Sequence, residues 1–138
     1  MSNDPESLEP RLDIHEKNID VIRMMHKAGV QIMAGSDFSD WALVPGIDLH
    51  NELALLVEAG FSPMEALQAA TLNPAKFLGK TDTYGTIQVG RGADLVLLNM
   101  NPLEDISHTR KIHAVMLGGK LYPLASIRAQ SLQDAAKR

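Results

Sequence analysis

Val30-Gln31-Ile32-Met33-Ala34-Gly35-Ser36-Asp37 runs a short apolar segment into a glycine turn that carries one carboxylate. Bounded by Gly29 and Gly35, the segment reads as a buried parallel strand, with Asp37 just beyond its carboxyl end. That is where α/β folds keep their chemistry. On the N-terminal side, residues 1–12 read as a polar lead-in. Asp13 then caps a helix, with Glu16 at the third position completing a capping-box-like pair. Ile19, Ile22 and Met25 supply its apolar stripe at helical spacing, and Gly29 ends it. On the other side, Phe38 to Gly46 is a loop holding Trp41, the only tryptophan, and a Pro45-Gly46 turn.

Further along, Leu49, Leu53, Leu56 and Val57 predict a helix over 48–59 that stops at Gly60. Ser62-Pro63-Met64-Glu65 combines a capping serine, a proline at the first helical position and a glutamate at the third, so a helix runs to about residue 72. Asn73-Pro74 repeats the cap-then-proline pattern and predicts a short helix over 74–78, ended by Gly79. From Thr81 the texture becomes extended and glycine-punctuated, with strands expected over 85–90, 93–98 and 112–117. Gly118-Gly119 between Ala114–Leu117 and Lys120–Tyr122 predicts a hairpin with a primed turn. Residues 124–138 form a weak terminal helix or tail. The resulting division is 1–12, 13–79, 80–123 and 124–138.

Composition bounds the function. The 138 residues are 45% hydrophobic and 22% charged, as in a soluble globular domain. A formal charge of −4 without any basic cluster argues against nucleic acid and against an anionic membrane surface. There is no cysteine, hence no disulfide or thiolate chemistry. The polar, acidic start lacks the marks of a secretory signal, so a cytoplasmic location is expected.

Most single-residue chemistry fails on inspection. His50-x-Glu52 suggests a zinc deaminase, but that site needs a downstream cysteine pair. His15-Glu16 begins a zincin motif whose fifth position is Ile19 rather than histidine. Gly90-Arg91-Gly92 lacks the third glycine of a dinucleotide fingerprint and precedes a strand. His26, His108 and His113 stand singly, and Asp94 is read as bonding the turn before its strand. Asp37 is either a turn former or a catalytic carboxylate.

Taken in order, Ala34-Gly35-Ser36-Asp37, Leu49-His50-Asn51-Glu52-Leu53, the run from Val57 to Leu67, Ala69 to Ala75, Gly85-Thr86-Ile87 and Gly90 to Val96 resemble the C-terminal part of the metal-dependent amidohydrolases, in particular imidazolonepropionase-like and Xaa-Pro-dipeptidase-like members. The resemblance covers roughly residues 14–122. It implies an α/β fold, the C-terminal fragment of a (β/α)8 barrel (last strand and flanking helices) plus C-terminal strands of a small β-sandwich. It also implies that Asp37 binds a divalent metal such as zinc and takes a proton from the metal-bound water, whose pKa the metal lowers to about 7. Ser36 stands where threonine is commoner, Trp41 would face the substrate loop, and His50 and Asp94 carry over as structural.

The chain departs from that family in extent. A full barrel takes about 250 residues, and the family's other ligands, a His-x-His after the first strand and residues after the fourth, fifth and sixth, have no counterpart here. A catalytic zinc takes about three protein ligands. The expected function is therefore that of a segment of a hydrolase acting on small-molecule amide or imide C–N bonds, inactive as an isolated chain. The alternatives are a non-catalytic interaction or oligomerisation module, and a chain complementing an N-terminal barrel fragment. Unpaired strand edges make self-association the expectation.

Overall fold

The computed structural model describes residues 5–36 and 46–135. Four helices precede a small sheet: α1 (Pro5–Lys27), α2 (Asp48–Glu58), α3 (Pro63–Ala70) and α4 (Leu72–Phe77). Then come β1 (Leu95–Leu98), a 3-10 helix (Ile106–Arg110), β2 (Ile112–Leu117), β3 (Lys120–Pro123) and α5 (Leu124–Ala135). None of the described helices is long and apolar enough to cross a membrane.

Helix α1 corrects one expectation. It begins at Pro5, so much of the supposed lead-in is helical and Asp13 lies inside the helix rather than capping it. Pro5 suits the first helical turn, where no N–H partner is needed; Pro10, at the sixth position, has no N–H to give the Glu6 carbonyl, yet the helix continues through it to Lys27. At its other end the reading holds: Gly29 adopts φ 76°, and Val30 N–H bonds back to Met25 carbonyl at 3.0 Å.

Helices α1, α2 and α3 share one core. Ile19, Leu53, Leu56, Ala59, Phe61, Ala66, Ala69 and Ile106 are buried together, with Ile32 and Ala34 packed against them. Of the apolar face predicted for α2, Leu53 and Leu56 are buried and Val57 is half-buried, while Leu49 is exposed. Helix α3 carries the complete capping box, with Glu65 N–H donating to Ser62 Oγ at 3.3 Å and Ser62 N–H donating to the Glu65 carboxylate at 2.7 Å. Helix α4 starts at Leu72, two residues earlier than the Asn73-Pro74 pattern suggests. The Asn73 side chain is committed elsewhere, to the Ile32 carbonyl.

The sheet is antiparallel in the order β1-β2-β3, with Val96 opposite Val115 and Val115 opposite Tyr122. Gly118 and Gly119 both have positive φ, 55° and 80°, as a primed hairpin turn requires. Helix α5 packs against β2 and β3. Two strand expectations fail. Residues 85–90 are turns and irregular chain, with Gly85 at φ 90° and Gly90 at φ 88°, and Ile87 and Val89 open to solvent. Residues 30–34 are not a strand, because no described strand pairs with them.

The connection between β1 and β2 joins the sheet to the helices. Its 3-10 helix buries Ile106 and Thr109 against α2. Asn51 and Arg110 add a side-chain hydrogen bond from α2 to the same turn.

Candidate active-site segment

Residues 30–36 hold the approach to Asp37 in a defined path. Ala34 N–H donates to Ala69 carbonyl at 2.9 Å, and Asn73 Nδ2 donates to Ile32 carbonyl at 2.8 Å. Ile32 and Ala34 rest on the helical core, so the chain is anchored by α3 and α4 through both packing and hydrogen bonds. Asp37 and Trp41, the two residues singled out in the sequence, lie outside the described residues. In the segment that leads to them, Ile32, Ala34 and Ser36 are half-buried and Gln31, Met33 and Gly35 are exposed.

Beside it lies an open groove of about 240 Å³, walled by His26, Ile32, Phe61, Glu65, Gln68 and Asn73. The His26 ring stacks on Phe61, with centroids 3.8 Å apart and planes inclined by 19°. His26 Nε2 stands 3.3 Å from Glu65 Oε1. A carboxylate only accepts, so Nε2 carries the proton of that bond. The hydrogen bonds from Ser62, side chain first and then backbone, together with His26, pull the Glu65 carboxyl down to about 2. Read singly, His26 gave no sign of this pairing, because its partner is 39 residues away.

His50 on α2 reaches the 3-10 turn. Its Nδ1 lies 3.0 Å from Thr109 Oγ1, and that hydroxyl donates its own proton to Ile106 carbonyl at 2.8 Å. Thr109 can therefore only accept from His50, which makes His50 the Nδ1-protonated tautomer. Burial, and secondarily the Arg110 charge, lowers its pKa. Burial also raises the pKa of Glu52 on the same helix. Asp94 bonds a different turn from the one anticipated: its carboxylate accepts from Gly118 N–H at 2.7 Å, bracing the hairpin. His108 donates from Nδ1 to Asn101 carbonyl at 2.7 Å, and His15 faces Glu58 at 3.9 Å.

Among the described residues, no three His, Asp or Glu side chains converge to hold a metal ion. These residues by themselves do not fit a catalytic zinc centre, which takes about three protein ligands.

A model of the amidohydrolase family matches residues 9–122. The probable imidazolonepropionase of Xenopus laevis is 36% identical over 104 residues, which are 72% of this chain and 24% of that protein. A Xaa-Pro dipeptidase, solved with methionine in its active site, superposes with a TM-score of 0.69 at 35% identity, over 76% of this chain and 25% of that one. A putative prolidase from Bifidobacterium longum superposes with a TM-score of 0.68 at 37% identity, over 87% of this chain and 30% of that one. The chain thus spans about a quarter of the length of the curated relatives it matches. Amidohydrolases are hydrolases and are generally metal-dependent. With the family pattern matched across 9–122 and the backbone following solved relatives over most of its length, the chain belongs to the amidohydrolase family.

Proposed function

We propose that these residues are the C-terminal segment of an enzyme that hydrolyses amide or imide C–N bonds in small molecules, built around a (β/α)8 barrel. The continuous match over residues 9–122 carries this reading, since it includes the segment ending in Asp37 together with the helices that anchor it. Asp37 is the carboxylate that would bind a divalent metal and accept a proton from water. In the complete enzyme the metal supplies a water acidic enough to attack at neutral pH. The part played by the described residues is positional: Ala69 and Asn73 hold residues 32–34, which precede Asp37 in the chain. The isolated chain does not hydrolyse, because one carboxylate is too few ligands for a catalytic metal.

A chimera tests this reading. Residues 9–122 replace the matching segment of the Xaa-Pro dipeptidase, and hydrolysis of an Xaa-Pro dipeptide is followed with and without Asp37→Asn. The expected result is a metal-dependent activity that the substitution abolishes while the chimera remains folded. A folded, active chimera indifferent to Asp37→Asn would remove Asp37 from the chemistry.

A further inference from the structure

Helix α2 carries three carboxylates, Asp48, Glu52 and Glu58. Asp48 accepts from Asn51 Nδ2 at 2.9 Å, and Glu58 faces His15 at 3.9 Å. Glu52 has neither a hydrogen bond nor an ion pair among the described residues. Nor is it a fully solvated acid. It is half-buried, one turn before Leu56 and two turns before Ala59, which are 3% and 0% exposed on the same stripe of the helix.

A carboxylate among apolar neighbours costs free energy unless a donor or a cation meets it. Burial raises the Glu52 pKa, and no nearby charge or hydrogen bond offsets that shift. Arg110 bonds Asn51 and bears on His50, yet it does not act on Glu52. Leu49, three residues before Glu52 and so beside it, is 39% exposed although it belongs to the apolar face of α2. Helices α1 and α3 and the 3-10 turn pack on α2 but leave this part of it, an exposed leucine flanking a half-buried carboxylate, uncovered.

The chain spans about a quarter of the length of its curated relatives, so in the enzyme inferred above most of the barrel lies outside it. We propose that Glu52 is a docking contact for that remainder: its carboxylate takes a charge-assisted hydrogen bond from an arginine or lysine of the barrel segments N-terminal to this one, beside an apolar contact at Leu49. The identity of that partner rests on the hydrolase reading. A cation is the matching chemistry, since an ionised carboxylate partly shielded from water is stabilised by positive charge. The same side chain then acts with opposite sign in two settings. In the segment alone, folding strips water from a carboxylate that gains nothing in return. In the assembled barrel, that carboxylate helps hold two parts of the protein together.

The test is urea unfolding of wild type, Glu52→Gln and Glu52→Lys, each in the isolated chain and in the chimera described above. In the isolated chain, Glu52→Gln is expected to raise the urea midpoint, because the neutral amide is easier to bury. In the chimera it is expected to lower the folded-to-unfolded ratio by roughly tenfold, the loss of one partner of a partly buried ion pair. Glu52→Lys should cost the chimera more than Glu52→Gln, since a cation then meets a cation. Equal midpoints for all three chimeras would overturn the proposal, as would a chimera that Glu52→Lys stabilises. A Glu52→Gln that lowers the midpoint of the isolated chain would also overturn it, because Glu52 would then have its partner within the segment; that measurement stands even if the chimera does not fold. Unfolding is read here and not hydrolysis, so a folded chimera without activity counts against the hydrolase reading and leaves the docking contact intact.

Discussion

Asn73 donates its side-chain amide to the main-chain carbonyl of Ile32 across 2.8 Å and 41 residues, tying the start of α4 to the segment that leads to Asp37. The carbonyl is partly buried and has no other partner among the described residues. Asn73→Ala leaves it unsatisfied and is expected to cost about 1–3 kcal/mol in urea unfolding. The same change should speed amide exchange at Ala34, whose bond to Ala69 carbonyl shares the anchor. Unchanged exchange at Ala34 would mean that packing alone holds the segment.

Glu65 and Ser62 predict a particular acid response. The Glu65 carboxyl is held at about 2 rather than the ordinary 4.5, so the folded state favours its ionised form. Its contribution is fully present above about pH 4.5 and is lost as pH falls towards 2. Glu65 is exposed, so solvent screening keeps the effect well below that of a comparable buried group. Ser62→Ala is expected to cost about 1 kcal/mol at neutral pH. That difference should shrink on acidification, and Glu65→Gln should flatten the acid limb. An acid limb identical in Glu65→Gln and wild type would show that another carboxylate governs it.

His50 and Thr109 give a spectroscopic prediction. Thr109 already donates to Ile106 carbonyl, so nitrogen-15 spectra should show neutral His50 protonated at Nδ1. Its lowered pKa means that the unfolded chain takes up the proton first, so this stabilisation is present above the ordinary value of 6.5 and is lost as pH falls below it. Thr109→Val keeps the shape but removes the acceptor, and should cost about 1–3 kcal/mol. A His50 protonated at Nε2 in the neutral fold would contradict this network.

These sites also mark how far the residues alone could be read. Ser62, Pro63 and Glu65 specify a helix start within four residues, and Gly118-Gly119 specify a hairpin within two, because each signal is local and is satisfied locally. The apolar run from Val30 to Ala34 is likewise present in the chain. Whether it forms a strand depends on a partner, and here α3 and α4 occupy one edge through Ala69 and Asn73. The His26–Glu65 pair joins α1 to α3, so neither neighbourhood betrays it. Asp13 and Glu16 resemble a cap, yet helical residues preceding Asp13 carry the helix through it. The motif string that marks the amidohydrolase family was legible where the packing was not, since it relies on residue identities rather than on contacts.

Gly85 and Gly90 separate backbone strain from crowding. Both have positive φ, 90° and 88°, a region that disfavours any side chain. At Gly90 an added Cβ meets nothing within 4 Å, whereas at Gly85 it would lie 2.8 Å from Ala75 Cβ and 3.1 Å from the Leu72 backbone. Ala75 is buried in α4 and cannot swing aside as a long side chain would. Gly90→Ala should therefore cost about 1–2 kcal/mol. Gly85→Ala adds overpacking of about 1–3 kcal/mol to the same strain. Chemical denaturation of the two variants measures the difference directly. Equal losses would mean that the turn at Gly85 moves away from α4 at no cost, and that its contact with Ala75 does not fix how the chain leaves the helices for the sheet.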